Sequence, residues 1–392
     1  MVVYVMNNFD EHIDRKNTGA FKWDHMKDLY GRDDLLPMWV ADMDFPSPIG
    51  VQKALLDRVM HPVYGYTAPM PTLLPVIQTW LKNRHSWEVD KDHLSFSAGV
   101  VSAIGMTIQG LTEPGDKILL QSPIYTPFFS MIEQNNRVVV NSQLKVIDDR
   151  FEIDFIDFEE KLKEGVKLFL LCSPHNPGGR IWTKEELTRM GELCLKYGTI
   201  IVSDEIHADL FHSSYTHYPL ASLNERYADQ TVTLMAPSKT FNIAGMQASI
   251  MITSNKDIRT KITTTQTRNA FHGLNILGLT AMEAAYRTGE TWLDEMLAYV
   301  ETNVKIAEDF IAHEIPGLRC MHPEASYLLW IDCRGLGLSD EEIQELLTSK
   351  GKLALEPGAK YGPGGEGFVR MNIGCPRTLL EDGLNRLKQA FS

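Results

Sequence analysis

The chain has 392 residues, of which 44% are hydrophobic and 23% charged, and a formal net charge of −13. This is the composition of ordinary globular domains, two or three of them at this length, and it excludes collagen-like, disordered and disulfide-scaffold classes. The acidic balance without a dense Lys/Arg run argues against a nucleic-acid partner, and no stretch reaches the ~18 consecutive apolar residues of a membrane span.

From the N-terminus, Met1 to Asp10 lack the basic and apolar regions of a signal peptide. Residues 1–45 show no strong periodicity and are expected to pack as an arm against the C-terminal part. Residues 46–288 alternate short apolar segments with helical ones. Ser97-Ala98-Gly99-Val100-Val101 opens a helix with apolar Val100, Val101, Ile104, Ile108 and Leu111, and a glycine turn at a helix N-terminus is suited to an anion. Lys117–Leu120, Arg137–Asn141, Lys167–Cys172, Thr199–Ser203, Thr231–Met235 and Ala248–Thr253 read as strands buried on both faces. Between them, Thr183–Tyr197 reads as a helix with a Thr183/Glu186 capping box, an apolar face of Leu187, Met190, Cys194 and Tyr197, and a stop at Gly198. The alternation predicts an α/β domain: a mostly parallel sheet flanked by helices. Residues 289–392 read as a smaller α+β domain. It has a long helix over Thr291–His313, strands at Tyr327–Asp332 and Gly367–Asn372, and helices opened by capping boxes at Ser339/Glu342 and Thr378/Glu381. The five cysteines, Cys172, Cys194, Cys320, Cys333 and Cys375, form no CxxC pair. They read as small buried residues in a reducing cytoplasm, without a disulfide framework or a zinc site.

Ligands of open α/β sheets lie beyond the carboxyl ends of the strands. Three successive strands deliver Asn176 (in Ser173–Arg180), Asp204 (in Asp204-Glu205-Ile206-His207) and Lys239 (after Ala236-Pro237-Ser238) to one rim, about one βαβ unit apart. An amine, an acid, an amide and a phosphate cradle together suggest pyridoxal phosphate. The lysine would bond its aldehyde, the acid would keep its ring nitrogen protonated, and the amide would donate to its phenolic oxygen. Taken singly these residues are a surface lysine, a helix cap and a turn; their order and shared strand-end context carry the inference.

With those motifs, His175–Arg180, Asp204–His207 and Ser238–Gly245, the chain resembles fold-type I pyridoxal-phosphate enzymes of the class I/II aminotransferase superfamily over nearly its whole length. More narrowly it resembles the MalY/PatB-type cystathionine β-lyases, through Met38–Phe45, Tyr64-Gly65-Tyr66 and Val369–Arg377 in addition. The resemblance implies that Lys239 holds the cofactor and shuttles the proton, that Asp204 and Asn176 hold its ring, and that Tyr125 stacks on it. Gly99, Val100, Val101 and Ser238 would hold the phosphate, helped by Tyr64 of a second subunit, so that the active unit is a homodimer. Tyr125 and Tyr64 are also candidates for catalysis. Arg370 would bind the substrate α-carboxylate through a bidentate fork.

Two positions depart from the wider superfamily: His207 stands where many aminotransferases have tyrosine, and Gln247 where many have a phosphate-binding arginine. His207 is either an acid/base or ring packing, and Trp39 either lines the substrate site or belongs to the core. Asp42 and Asp44 read as loop-capping acids, since no third metal ligand is in view. The expected reaction is α,β-elimination from a small sulfur amino acid such as L-cystathionine. A class I/II aminotransferase, or a regulatory protein that binds a transcription factor, are the alternatives.

Overall fold

The computed structural model describes residues 7–392. Its largest sheet has seven strands in the spatial order Leu94–Ser97, Ser249–Ile252, Thr231–Met235, Ile200–Asp204, Leu168–Cys172, Lys117–Leu120 and Val138–Asn141. The last five run parallel, whereas Ser249–Ile252 is antiparallel to both its neighbours. Leu168–Cys172 and Thr231–Met235 are buried at every residue. Successive side chains alternate between two cores, as the twofold period of a strand requires. Leu119, Phe169, Leu171 and Ile201 pack with Leu187, Met190 and Cys194 on one side. Ile118, Leu120, Leu170, Val202 and Val232 pack with Ile104 and Ile108 on the other.

The strand Leu94–Ser97 was not legible in the sequence, because Leu-Ser-Phe-Ser is half polar and only Ser97 is fully buried. The helix after Thr183 spans Lys184–Tyr197; its capping box is formed on both sides and Gly198 closes it at φ 68°. The Ser339/Glu342 box is also formed. The Thr378/Glu381 box is not: the helix Arg377–Ala390 is entered from Pro376, which makes no side-chain cap, so Thr378 is already inside the first turn.

A second, antiparallel sheet orders Arg319–Met321, Leu328–Asp332, Phe368–Asn372 and Glu356–Pro357. The long helix Glu290–Glu314 and the helix Arg377–Ala390 cover it, with Val304, Ala307, Leu380 and Leu384 packed against Leu329, Ile331 and Met371. Leu36–Pro37 pairs in parallel with Leu353–Ala354, and the Phe9 ring lies 5.1 Å from Phe45 and 5.7 Å from Trp292. We propose on these contacts the division read from the sequence: an arm over residues 1–45, a large unit over 46–288 and a small unit over 289–392. Met1 to Met6 lie outside the described residues. Four of the five cysteines are buried, Cys320 is half-buried, and all are free thiols.

Candidate active site

Asp204 ends the central strand of the seven. Asn176 lies in the turn after the strand on one side, and Lys239 in the one-turn helix Pro237–Thr240 after the strand on the other. All three line a cavity of about 460 Å³. Gly99, Val100, Val101 and Ser238 border the same cavity, as do Tyr125 and His207, and Trp39 and Arg370 reach it from the arm and the small sheet. Tyr64 does not: it is 58% exposed, with its hydroxyl donated to the Val59 carbonyl and Arg58 over its ring.

Asp204 is buried, and one carboxylate oxygen accepts from the Ile206 N–H at 3.1 Å. Burial, with Glu205 adding to it, pushes its pKa up to about 7. Glu205 itself turns away, bonded to Ser203 and to His217 Nε2 at 2.9 Å. Lys239 Nζ donates to the Ala41 carbonyl at 2.6 Å. Burial, with Arg370 nearby, lowers its pKa to about 8 against the pull of Asp42 and Asp204. Its helical turn is steadied by Thr240, which donates to Asp209 at 2.8 Å; that buried acid also takes Trp80 Nε1 and His85 Nε2.

Asn176 Oδ1 accepts from Arg370 Nη1 at 3.0 Å, which leaves the Asn176 amide free to donate into the cavity. The turn that carries Asn176 is clamped. Gly179 sits at φ +65°, where a Cβ would meet the Ala325 carbonyl at 2.9 Å, and Arg180 is held between Glu186 and Glu324. Arg370 also donates to the Trp39 carbonyl at 2.8 Å, while its buried Nε has no partner. Trp39 is both core and lining, for its ring packs with Met26, Leu35 and Ala354 while it borders the cavity. His207 is buried with Nδ1 unpartnered, and burial beside Lys239 and Arg370 lowers its pKa to about 3, so the ring is neutral.

Asp42 and Asp44 are not loop caps. Asp44 is buried and bonds Lys22 Nζ at 2.6 Å, Arg15 at 2.7 Å and Trp23 Nε1 at 3.0 Å, and Asp42 pairs with Arg15 at 2.8 Å. Among the described residues, no group of three or more His, Cys, Asp or Glu is placed to hold a metal ion. Sequence reasoning also passed over Ala41, Asp209, Tyr361 and Glu356. Asp209 follows His207 by two positions, a signal within reach; Ala41, which acts through its carbonyl, left none.

These residues fit pyridoxal phosphate. Gly99 caps the helix Val100–Leu111 at φ 134° with no side-chain cap, and a Cβ there would meet open space, so the first-turn N–H groups face the cavity unhindered. The second oxygen of Asp204 has no donor among the described residues, which is what a protonated ring nitrogen needs. Gln247 lines the same cavity, and its amide would be a weaker phosphate donor than a guanidinium.

Residues 40–387 match the family model described as aminotransferase class I and II. The chain belongs to that family. Its cofactor is pyridoxal phosphate. The cystathionine β-lyase PatB of Bacillus subtilis is 48% identical, covering 98% of this chain and all of PatB. Protein MalY of Escherichia coli is 34% identical over 98% of this chain and 99% of its own. The crystal structure of cystalysin from Treponema denticola, which contains a pyridoxal 5′-phosphate cofactor, superposes with a TM-score of 0.95 at 35% identity, covering 98% of each chain. No helix among the described residues is long and apolar enough to cross a membrane.

Proposed function

We propose that the protein is a carbon–sulfur β-lyase that eliminates the thiolate from L-cystathionine or a related cysteine S-conjugate, giving thiol, pyruvate and ammonia. The observation that carries this reading is the convergence of Lys239, Asp204, Asn176 and Arg370 on one cavity, in a chain similar throughout to a cystathionine β-lyase. Bound there, pyridoxal phosphate supplies an aldehyde for the amine of the substrate and a protonated ring that accepts electrons from Cα.

The chain does the rest. Arg370, which lines the cavity, takes the substrate α-carboxylate on its guanidinium, while Asn176 and the Trp39 carbonyl fix its plane. Lys239 removes the Cα proton; with its pKa lowered to about 8, a neutral amine is accessible near neutral pH. The electron pair left at Cα forms the Cα–Cβ double bond as the Cβ–S bond breaks. The thiolate leaves with a proton from the Lys239 ammonium, and the released enamine hydrolyses to pyruvate and ammonia. With the ring bound, Asp204 would hold its nitrogen protonated and Tyr125 would cover its face. The setting we infer is cytoplasmic, supported by five free thiols.

Lys239→Ala is expected to abolish pyruvate release and the visible absorbance of the purified holoenzyme together. Turnover that survives the substitution would remove Lys239 from the reaction.

A further inference from the structure

The cavity is lined by two carboxylates, and the elimination uses only Asp204. The other is Glu356. It lies on the edge strand Glu356–Pro357, directly opposite Arg370 in antiparallel register, so both side chains leave the sheet on the same face. Arg370 is bonded to Asn176 and the Trp39 carbonyl, and among the described residues it makes no ion pair with Glu356. Glu356 is instead paired with Lys360 Nζ at 2.9 Å, with side-chain exposures of 14% for the acid and 54% for the amine. An ion pair with so exposed an ammonium is weak and exchangeable. Phe21, Trp39, Tyr125 and Tyr361 line the same cavity, and the charge of Glu356 adds to burial in raising the pKa of Tyr30 and Tyr361. A half-buried carboxylate in a cavity lined by aromatic residues is chemistry for an ammonium ion.

L-Cystathionine and L-cystine each join two α-amino acids by a four-atom bridge, so each brings a second ammonium into the site. Simple S-alkyl cysteines do not. We propose that Glu356 is a specificity-determining residue that receives the distal ammonium of such bis-amino-acid substrates, displacing Lys360, while Arg370 holds the carboxylate of the reacting end. The proposal rests on the lyase reading for its substrates, and its test separates the two.

Wild-type and Glu356→Gln holoenzymes are compared in two assays. In the first, pyruvate release from L-cystathionine and L-cystine is set against release from S-ethyl-L-cysteine. The substitution is expected to lower kcat/KM about 10- to 100-fold for the first two, the scale of one charge-assisted hydrogen bond, and to change it less than about twofold for the third. In the second, calorimetry measures binding of 2,7-diaminosuberate, an unreactive isostere of cystathionine, against 2-aminosuberate, which lacks the distal ammonium. The wild type should prefer the diamino ligand by about the same factor, and the variant should lose that preference. Equal loss toward all three substrates, discrimination retained by the variant, or no preference in the wild type each overturns the role of Glu356. Binding needs no elimination. A wild type that releases no pyruvate from any substrate therefore defeats the lyase reading alone, and the calorimetry still decides this one.

Discussion

Asp204 and Lys239 are buried ionisable groups whose pKa values are driven toward each other, to about 7 and about 8. Each shift couples to stability. For Asp204, whose folded value is raised above its ordinary 3.8, the contribution is present below that value and is lost as pH rises toward 7. For Lys239, lowered from 10.5, the contribution is present above that value and is lost as pH falls toward 8. The apoprotein should therefore be more stable as Asp204→Asn than as wild type at pH 8, by about 1–4 kcal/mol, measured by urea unfolding. A variant no more stable than wild type would mean that the carboxylate is not held at a cost. The same lysine should capture pyridoxal phosphate faster as pH rises through about 8, followed by visible absorbance during reconstitution of the apoprotein. A rate that does not change between pH 7 and 9 would contradict a lysine poised there. Asn176, Asp204 and Lys239 were legible in the sequence because each follows an apolar strand. Glu356 was not, because it lies on a two-residue edge strand that leaves no periodic signal.

The segment Trp39–Phe45 is the element that joins the arm to the active site. Its Ala41 carbonyl receives both Lys239 Nζ and the Tyr327 hydroxyl. Asn372 Nδ2 donates to the Val40 and Asp42 carbonyls at 2.6 Å each, and Asn242 Nδ2 to those of Met43 and Phe45. At its end the buried Asp44 neutralises Lys22, which is fully buried. Asp44→Ala would leave that ammonium without its closest partner in a dry site. A loss of about 3–5 kcal/mol in urea unfolding is expected, and a change under about 1 kcal/mol would contradict the clamp. The sequence marked Met38–Phe45 as a motif but not its partners: Arg15 and Lys22 lie 27 and 22 residues upstream of the acids they hold, in a stretch without period. The helix entered from Pro376 makes the related point that a Thr-x-x-Glu pattern caps only where the backbone before it turns out of the helix.

Across the whole molecule, the parallel sheet provides the rim and the antiparallel sheet provides Arg370, so the cavity forms only where the two meet. That strand ends would gather at one rim follows from strand–helix alternation; that the small sheet would face it carried no sequence signal beyond the family resemblance. Exposed apolar side chains are concentrated in one stretch of the chain, where Met60, Val63, Tyr64, Tyr66 and Met70 are all more than half exposed. We propose that a second copy covers it and that Tyr64 completes the phosphate site of that copy. Co-expressed Lys239→Ala and Tyr64→Ala subunits should then recover activity, since a mixed dimer holds one intact site, up to about a quarter of the wild-type sites. Recovery no greater than the sum of the two separate variants would contradict a shared site. The account as a whole turns on the fate of the Cβ–S bond, read most directly by incubating the holoenzyme with L-cystathionine alone and following pyruvate and free thiol. It predicts that both accumulate in equal amounts with no keto acid added. Amino transfer that requires an added keto acid, with no pyruvate or thiol released, would contradict it.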